Sequence, residues 1–431
     1  MNANAYGKFY KPVIVKMETG TQYDAIKPVL EKFRDSALPF DIYIPLYIDD
    51  KRGINKMFNK TASIVKNDGF KNIFRKIPNK KYKLALSAPH FENKINAKYY
   101  VKYYYGPIEA KPVRTWLPSF QNHYHGVILT NSRDMEVLSV YTQPYLVPIL
   151  KYINFKKKPH TKKTVLFLPT WDHHDDLDWI LKAINRIRRD GFCAIVKTHP
   201  SGGYSIGAQR STRDMLKDIE KAADEFHLGE YPLRELLARS DVVVSDTSSA
   251  AFEALYVGVP VTIFSKNINV FSLVNIKSAN AKYTDEGYIS IAKDITALTR
   301  NIHTALSVGY AKKQKELGDK LFRRDFTTRA VDSWMEVINR YLNDDLDQDY
   351  IRLHDYYTHD YDKHVLEESS LRYALDLERN ASNLERNASN LERENYQKLL
   401  YQERNPGIRT AAKRLAKAIL VRSNKIRRRL Q

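Results

Sequence analysis

Short apolar runs alternate with amphipathic stretches along most of this chain. The runs "PVIVKM", "DIYIPLYI", "KYKLALSA", "KYYVKYYYG" and "GVILTN" read as strands, and "QYDAIKPVLEKFRDS" between the first two reads as a helix. The basic, Pro-containing segment "KYINFKKKPHTKK" interrupts, and the alternation then resumes. "TVLFLPT" precedes the helical pattern "DDLDWILKAINRIRRD", "CAIVKTH" follows, and "DVVVSDT", a small-residue helix and "PVTIF" complete the set. Strands alternating with helices are the mark of βαβ units around a mostly parallel sheet. The fold class predicted is α/β, with two doubly wound, Rossmann-like domains facing a cleft, at residues 1–155 and 156–345.

Beyond residue 345 the period changes. "LERNASNLERNASNLERENYQ" repeats every seven residues, with Leu377, Leu384 and Leu391 at one heptad position and Ala374, Ala381 and Ala388 at its partner. Residues 346–403 are therefore read as a helical, coiled-coil segment, compatible with a parallel homodimer of modest strength because alanine buries little. After "RNPG" the stripe Ile408, Ala412, Leu415, Ile419, Ile426 and Leu430 predicts a basic amphipathic helix over 404–431.

Length and charge sharpen this picture. A chain of 431 residues exceeds what one core usually serves. Of the net charge of +20, residues 404–431 supply half, with ten Lys and Arg and no acid. An apolar stripe flanked by cations suits an anionic membrane surface. Nucleic acid is the weaker partner, because no aromatic residue interleaves those cations. No apolar run reaches the length of a spanning helix, and the N-terminal stretch lacks a charged-then-apolar leader, so the predicted location is cytoplasmic, peripheral to the inner face of the plasma membrane. The single cysteine, Cys193, sits in an apolar strand and fits a reducing compartment. The two "NAS" sequons carry no weight for a cytoplasmic chain.

Candidate chemistry gathers where strands of the second half end. "TVLFLPTW" ends on Thr170 and Trp171, "CAIVKTHP" on Lys197 and His199, and "DVVVSDTSS" on Asp246, Thr247, Ser248 and Ser249. A helix opening at Ser248 or Ser249 presents free N–H groups and a positive dipole end, which with neighbouring hydroxyls makes a phosphate seat. Asp246 as an ordinary helix N-cap is the plain alternative. His199, with Lys197 two residues before it, is placed to stabilise a leaving phosphate, although a lone histidine past a strand is often structural. "DHHDD" at 172–176 reads as a polar loop capping a helix. No spacing suggests a metal, and no cofactor is implied.

"LPTW" at 168–171, "KTHP" at 197–200 and "SDVVVSDTSSAAFEAL" at 240–255 resemble the CDP-glycerol glycerophosphotransferases, the teichoic acid polymerases and primases, over roughly residues 80–340. The resemblance implies a glycosyltransferase-B-type fold and a CDP-activated polyol donor, glycerol first. It implies transfer of the polyol phosphate to a hydroxyl of a lipid-linked cell-wall or capsular glycan, with release of CMP. His199, Thr247, Ser248 and Ser249 would hold the diphosphate, and Glu253 the acidic position near the ribose; Thr170, Trp171, Lys197 and Asp246 would complete the donor wall. The family's Trp-His-Gly-Thr-Pro segment, which carries its base, has "YYYGPIEAK" as counterpart, with Tyr105 before Gly106. A phenol titrating near about 10 is a poor base at neutral pH. His90, His123 and His125 are the substitutes on offer. The competing readings are a nucleotide-sugar glycosyltransferase or UDP-sugar 2-epimerase-like enzyme, and a catalytically inactive coiled-coil adaptor at the membrane.

Overall fold

The computed structural model describes residues 11–46, 54–88, 95–106, 124–138, 142–169, 178–198, 210–228, 231–245, 249–264 and 287–351. The heptad segment and the basic tail lie outside them. Strands β1 (Lys11–Lys16), β2 (Phe40–Tyr43), β3 (Ile73–Phe74), β4 (Tyr82–Ser87), β5 (Ala97–Tyr103), β6 (Gly126–Leu129) and β7 (Gln143–Leu146) form one sheet in the order β3-β2-β1-β4-β5-β6-β7, every pair parallel. A parallel sheet must be covered on both faces, which is why β1 is apolar at consecutive positions. Val13 and Val15 enter one core and Ile14 the opposite one.

Helix α1 (Gly20–Asp35) follows β1 and buries Tyr23, Ile26, Val29, Leu30 and Phe33. Its start is fixed by a capping box. Gln22 donates its backbone N–H to Thr19 Oγ1 at 3.2 Å, and Gln22 Oε1 accepts from the Thr19 N–H at 3.2 Å. Helix α2 (Ile54–Asn67) and the short α3 (Ser132–Leu138) complete this half up to residue 146.

The second sheet contains β8 (Thr164–Leu168), β9 (Cys193–Lys197), β10 (Glu225–His227), β11 (Val242–Ser245), β12 (Val261–Phe264) and β13 (Ser290–Ala292), in the order β10-β9-β8-β11-β12-β13 and again wholly parallel. Helices α4 (Asp178–Arg189), α5 (Arg210–Ala222), α6 (Leu233–Leu237), α7 (Ser249–Tyr256), α8 (Ile295–Ala305) and α9 (Val308–Leu321) accompany it. In both sheets the order reverses beside the first strand, so each has a switch-point crevice at the carboxyl ends of its strands.

The sequence reading runs the second domain to 345, but α10 (Ala330–Leu342) packs in the first core. Trp334 meets Tyr103 edge-on at 6.0 Å and donates its Nε1–H to the Pro148 carbonyl at 3.0 Å. Tyr341 donates its hydroxyl to the His125 carbonyl at 3.2 Å, and its ring end lies so close to Gly126 that no Cβ fits there. The chain therefore crosses between the sheets twice. On the outward crossing a 3₁₀ turn at 150–152 sends Leu150 into the first core and Tyr152 into the second. Further along, Lys157 donates to the carbonyls of Leu237 and Ser240, and Lys158 pairs with Glu235. No helix among the described residues is long and apolar enough to cross a membrane.

Candidate active site

A cleft of about 1010 Å³ is lined from both halves of the described chain. From the first sheet come the capped start of α1, at Thr19, Gly20 and Thr21, and Tyr105, just past β5. From the second come Leu168 and Pro169 after β8, Lys197 and Thr198 at the end of β9, and Ser249, Ala250 and Glu253 on α7. These are the carboxyl ends at which open α/β sheets hold ligands. Ser245 donates its hydroxyl to the Leu168 carbonyl at 3.0 Å, tying the β11 and β8 ends together beside the switch point.

Four of the residues expected in the site are described, and all four line this cleft: Tyr105, Lys197, Ser249 and Glu253. Lys197 is buried with only 7% of its surface exposed, and its Nζ donates to the Thr198 carbonyl at 3.2 Å. Ser249 opens α7, and Glu253 follows one turn later, where an i, i+4 spacing stacks side chains on one face. His90, Thr170, Trp171, His199, Asp246, Thr247 and Ser248 lie outside the described residues, as do His123 and the 172–176 loop. His125 is no candidate base. It is buried at the amino end of β6, the opposite end of the strands from the cleft, with Nδ1 accepting the Tyr100 N–H at 3.2 Å.

Glu253 is the best-defined group in the cleft. It is 5% exposed, and both of its nearest donors converge on one oxygen. Tyr152 donates its hydroxyl to Oε2 at 2.5 Å, and Lys151 Nζ stands 2.6 Å from the same oxygen. Burial, then the charge of Glu253, push the Tyr152 phenol well above its ordinary range, so it stays a donor. The other oxygen, Oε1, faces the first sheet: a Cβ on Gly106 would stand 3.0 Å from it. A glycine keeps the gap between strand end and carboxylate open, where a Cβ would press on Oε1.

Lys151, Tyr152, Tyr231 and Arg234 escape sequence reasoning. Arg234 lines the cleft and donates Nη1–H to the Lys151 carbonyl at 3.2 Å. Tyr231 lies against His227 with ring centroids 3.8 Å apart, and His227 Nε2 is 2.5 Å from Glu225 Oε1. Arg239 grips both Glu225 oxygens at 2.7 and 2.5 Å and, with His227, holds that carboxyl below its usual range. A basic run such as "KYINFKKK" announces charge without saying which lysine turns inward. Among the described residues no group of three or more His, Cys, Asp or Glu is set to hold a metal ion.

Comparison with known proteins follows the same division of the chain. Residues 154–327, which hold the whole second sheet, match the family model described as CDP-Glycerol:Poly(glycerophosphate) glycerophosphotransferase. No curated protein sequence matches. Among solved structures, the wall teichoic acid polymerase TagF aligns with a TM-score of 0.51 at 12% identity, over 78% of this chain and 90% of that one. A putative UDP-N-acetylglucosamine 2-epimerase from Listeria monocytogenes aligns with a TM-score of 0.50 at 10% identity, over 78% and 97%. At such identities the structures share the two-sheet, glycosyltransferase-B-type fold and nothing finer. The family match carries the chemistry: residues 154–327 are similar to the CDP-Glycerol:Poly(glycerophosphate) glycerophosphotransferases, and the chain is a CDP-glycerol glycerophosphotransferase-like transferase.

Proposed function

We infer that the chain transfers a polyol phosphate, glycerol phosphate first, from a CDP-activated donor to a hydroxyl of a lipid-linked cell-wall or capsular glycan, as in teichoic acid synthesis, and releases CMP. The observation that carries this reading is that buried Lys197 and the first turn of α7 line the same cleft. A buried ammonium and the N–H groups of a helix start are the donors a diphosphate needs. His199, Thr247 and Ser248 adjoin these residues in sequence and are proposed to complete the seat, with Thr170, Trp171 and Asp246 as further donor-wall residues. Tyr231, braced by His227, offers a ring face to a nucleobase.

Transfer of this kind is chiefly positioning and charge stabilisation. The acceptor enters from the Thr19–Thr21 side, and its oxygen attacks the phosphorus next to the polyol. CMP leaves against Lys197 and α7. The amphipathic segment 404–431 would hold the enzyme at the anionic surface where a lipid-linked acceptor resides, and the 346–403 heptads would pair two such tails. The test is CMP release from CDP-glycerol on adding a lipid-linked glycan, with thermal shifts against CDP-glycerol, CDP-ribitol, UDP-GlcNAc and CMP. Stabilisation by UDP-GlcNAc and not by cytidine nucleotides would replace this reading with a sugar-nucleotide enzyme. Stabilisation by none would leave an adaptor.

A further inference from the structure

The motif that supplies the base in related enzymes has a tyrosine here, so the acceptor proton needs another destination. Glu253 Oε1 is the group the cleft presents. Tyr152 and Lys151 both donate to Oε2 of this carboxylate. Oε1 lies instead beside Gly106, just past the end of the first sheet's β5, where a Cβ would stand 3.0 Å from it. It lies one helical turn beyond Ser249, about 6 Å along the axis, and so borders the phosphate seat proposed above. Side chains from the acceptor half, Thr21 and Tyr105, line the same cavity.

We propose that Glu253 is the general base of the transfer, its Oε1 taking the proton of the attacking acceptor hydroxyl, with Lys151 and Tyr152 as positioning residues that fix the carboxylate through Oε2. This rests on the transferase reading. In the step, the acceptor oxygen forms a bond to the phosphorus bearing the polyol while the bond from that phosphorus to the bridging oxygen breaks. The bridging oxygen leaves with CMP, and the hydroxyl proton passes to Oε1 and then to water. A side chain at Gly106 would crowd the space in which the hydroxyl meets the carboxylate. Glu253 thus acts on the acceptor, and the ribose position is left to other groups.

The experiment compares full-length wild type with Glu253→Gln, Glu253→Asp and Tyr105→Phe. It measures single-turnover CMP release from saturating CDP-glycerol with a lipid-linked glycan, the pH dependence of that rate, and the donor Kd. Glu253→Gln is expected to lose at least about 100-fold in rate, the usual worth of a positioned base, while the donor Kd moves less than about threefold. The acidic limb of the pH–rate profile should vanish with it. Glu253→Asp, which keeps the carboxylate and withdraws it by one methylene, should recover part of the rate and restore the limb, and it decides the matter if the Gln variant misfolds. A wild-type rate in Glu253→Gln overturns the proposal, as does a loss explained wholly by weaker donor binding. Loss of turnover in Tyr105→Phe but not in Glu253→Gln would make the phenol the base. If wild type releases no CMP with any acceptor, the transferase reading falls and takes this proposal with it.

Discussion

Asn154 donates its backbone N–H to the carbonyl of Phe326 at 2.5 Å, so the two passages of the chain between the sheets are bonded to each other. Asn154 also holds a φ of +57°, a left-handed conformation asparagine tolerates and branched residues resist. Because the cleft takes walls from both sheets, this small crossing governs how its two sides are presented.

Replacing Asn154 by valine should therefore destabilise the fold by roughly 1–2 kcal/mol, the cost of forcing a left-handed residue. Asn154→Gly should cost much less. Urea unfolding midpoints of the two variants would check this; equal midpoints would mean the conformation is not constrained.

The contact of Gly126 with the Tyr341 ring end makes a second prediction. Gly126→Ala should cost about 1–3 kcal/mol as an overpacked core. Tyr341→Phe, which shortens the intruding side chain, should recover part of that loss. A thermal-unfolding double-mutant cycle would show the non-additivity, and strictly additive effects would refute the clash.

His160 gives the pH dependence a sign. Its Nε2 lies 2.7 Å from Asp241 Oδ2 and its Nδ1 3.0 Å from the Lys158 carbonyl. The bond to Asp241, then that to the carbonyl, raise its pKa above the ordinary value of 6.5, with desolvation and nearby Lys157 opposing. A raised folded-state value means the contribution is complete below 6.5 and is lost as pH climbs through the folded value. His160→Gln should thus be less stable than wild type at pH 5.5 and match it near pH 9. A deficit that does not change with pH would reject protonation as its source.

On the donor side, Lys197→Met keeps the buried aliphatic stem and removes the charge. A charge-assisted hydrogen bond is worth about 1.5–3 kcal/mol, so the thermal shift produced by CMP should shrink to match a roughly 10- to 150-fold weaker Kd. An unaltered shift would remove Lys197 from the phosphate seat. His199→Ala, if that histidine assists leaving-group departure, should lower turnover with little change in folding.

Deleting residues 404–431 should abolish co-sedimentation with anionic vesicles at low salt and spare donor binding. Retained co-sedimentation would locate the membrane contact elsewhere in the chain.

Much of the sheet architecture is legible in the sequence, because strands buried on both faces show as unbroken apolar runs. The strand ends are legible too: Lys197 and Ser249 stand out as polar residues abruptly closing such runs, and both line the cleft. The partners of Glu253 are not. Tyr152 reaches it across 101 residues of sequence, and no periodicity encodes that distance. Helix α10 fails for a related reason. The stripe Val331, Trp334, Ile338 and Tyr341 announces a buried face but not which core receives it, and adjacency in sequence suggests the wrong one. Histidine position misleads in the same way. His125 looks like a base in a list of imidazoles, and only the direction of β6 shows it at the far end of the sheet.

The return of α10 bears on how the protein is made. Strands β1 to β7 leave the ribosome first, yet the tyrosine that closes their core beside His125 comes 216 residues later. Helices α1 and α2 cover part of that core early, but the part α10 seals must wait exposed while the whole of the second sheet is synthesised and folds. Nascent chains halted between residues 327 and 345 should therefore engage chaperones most strongly, and the half synthesised first becomes native last.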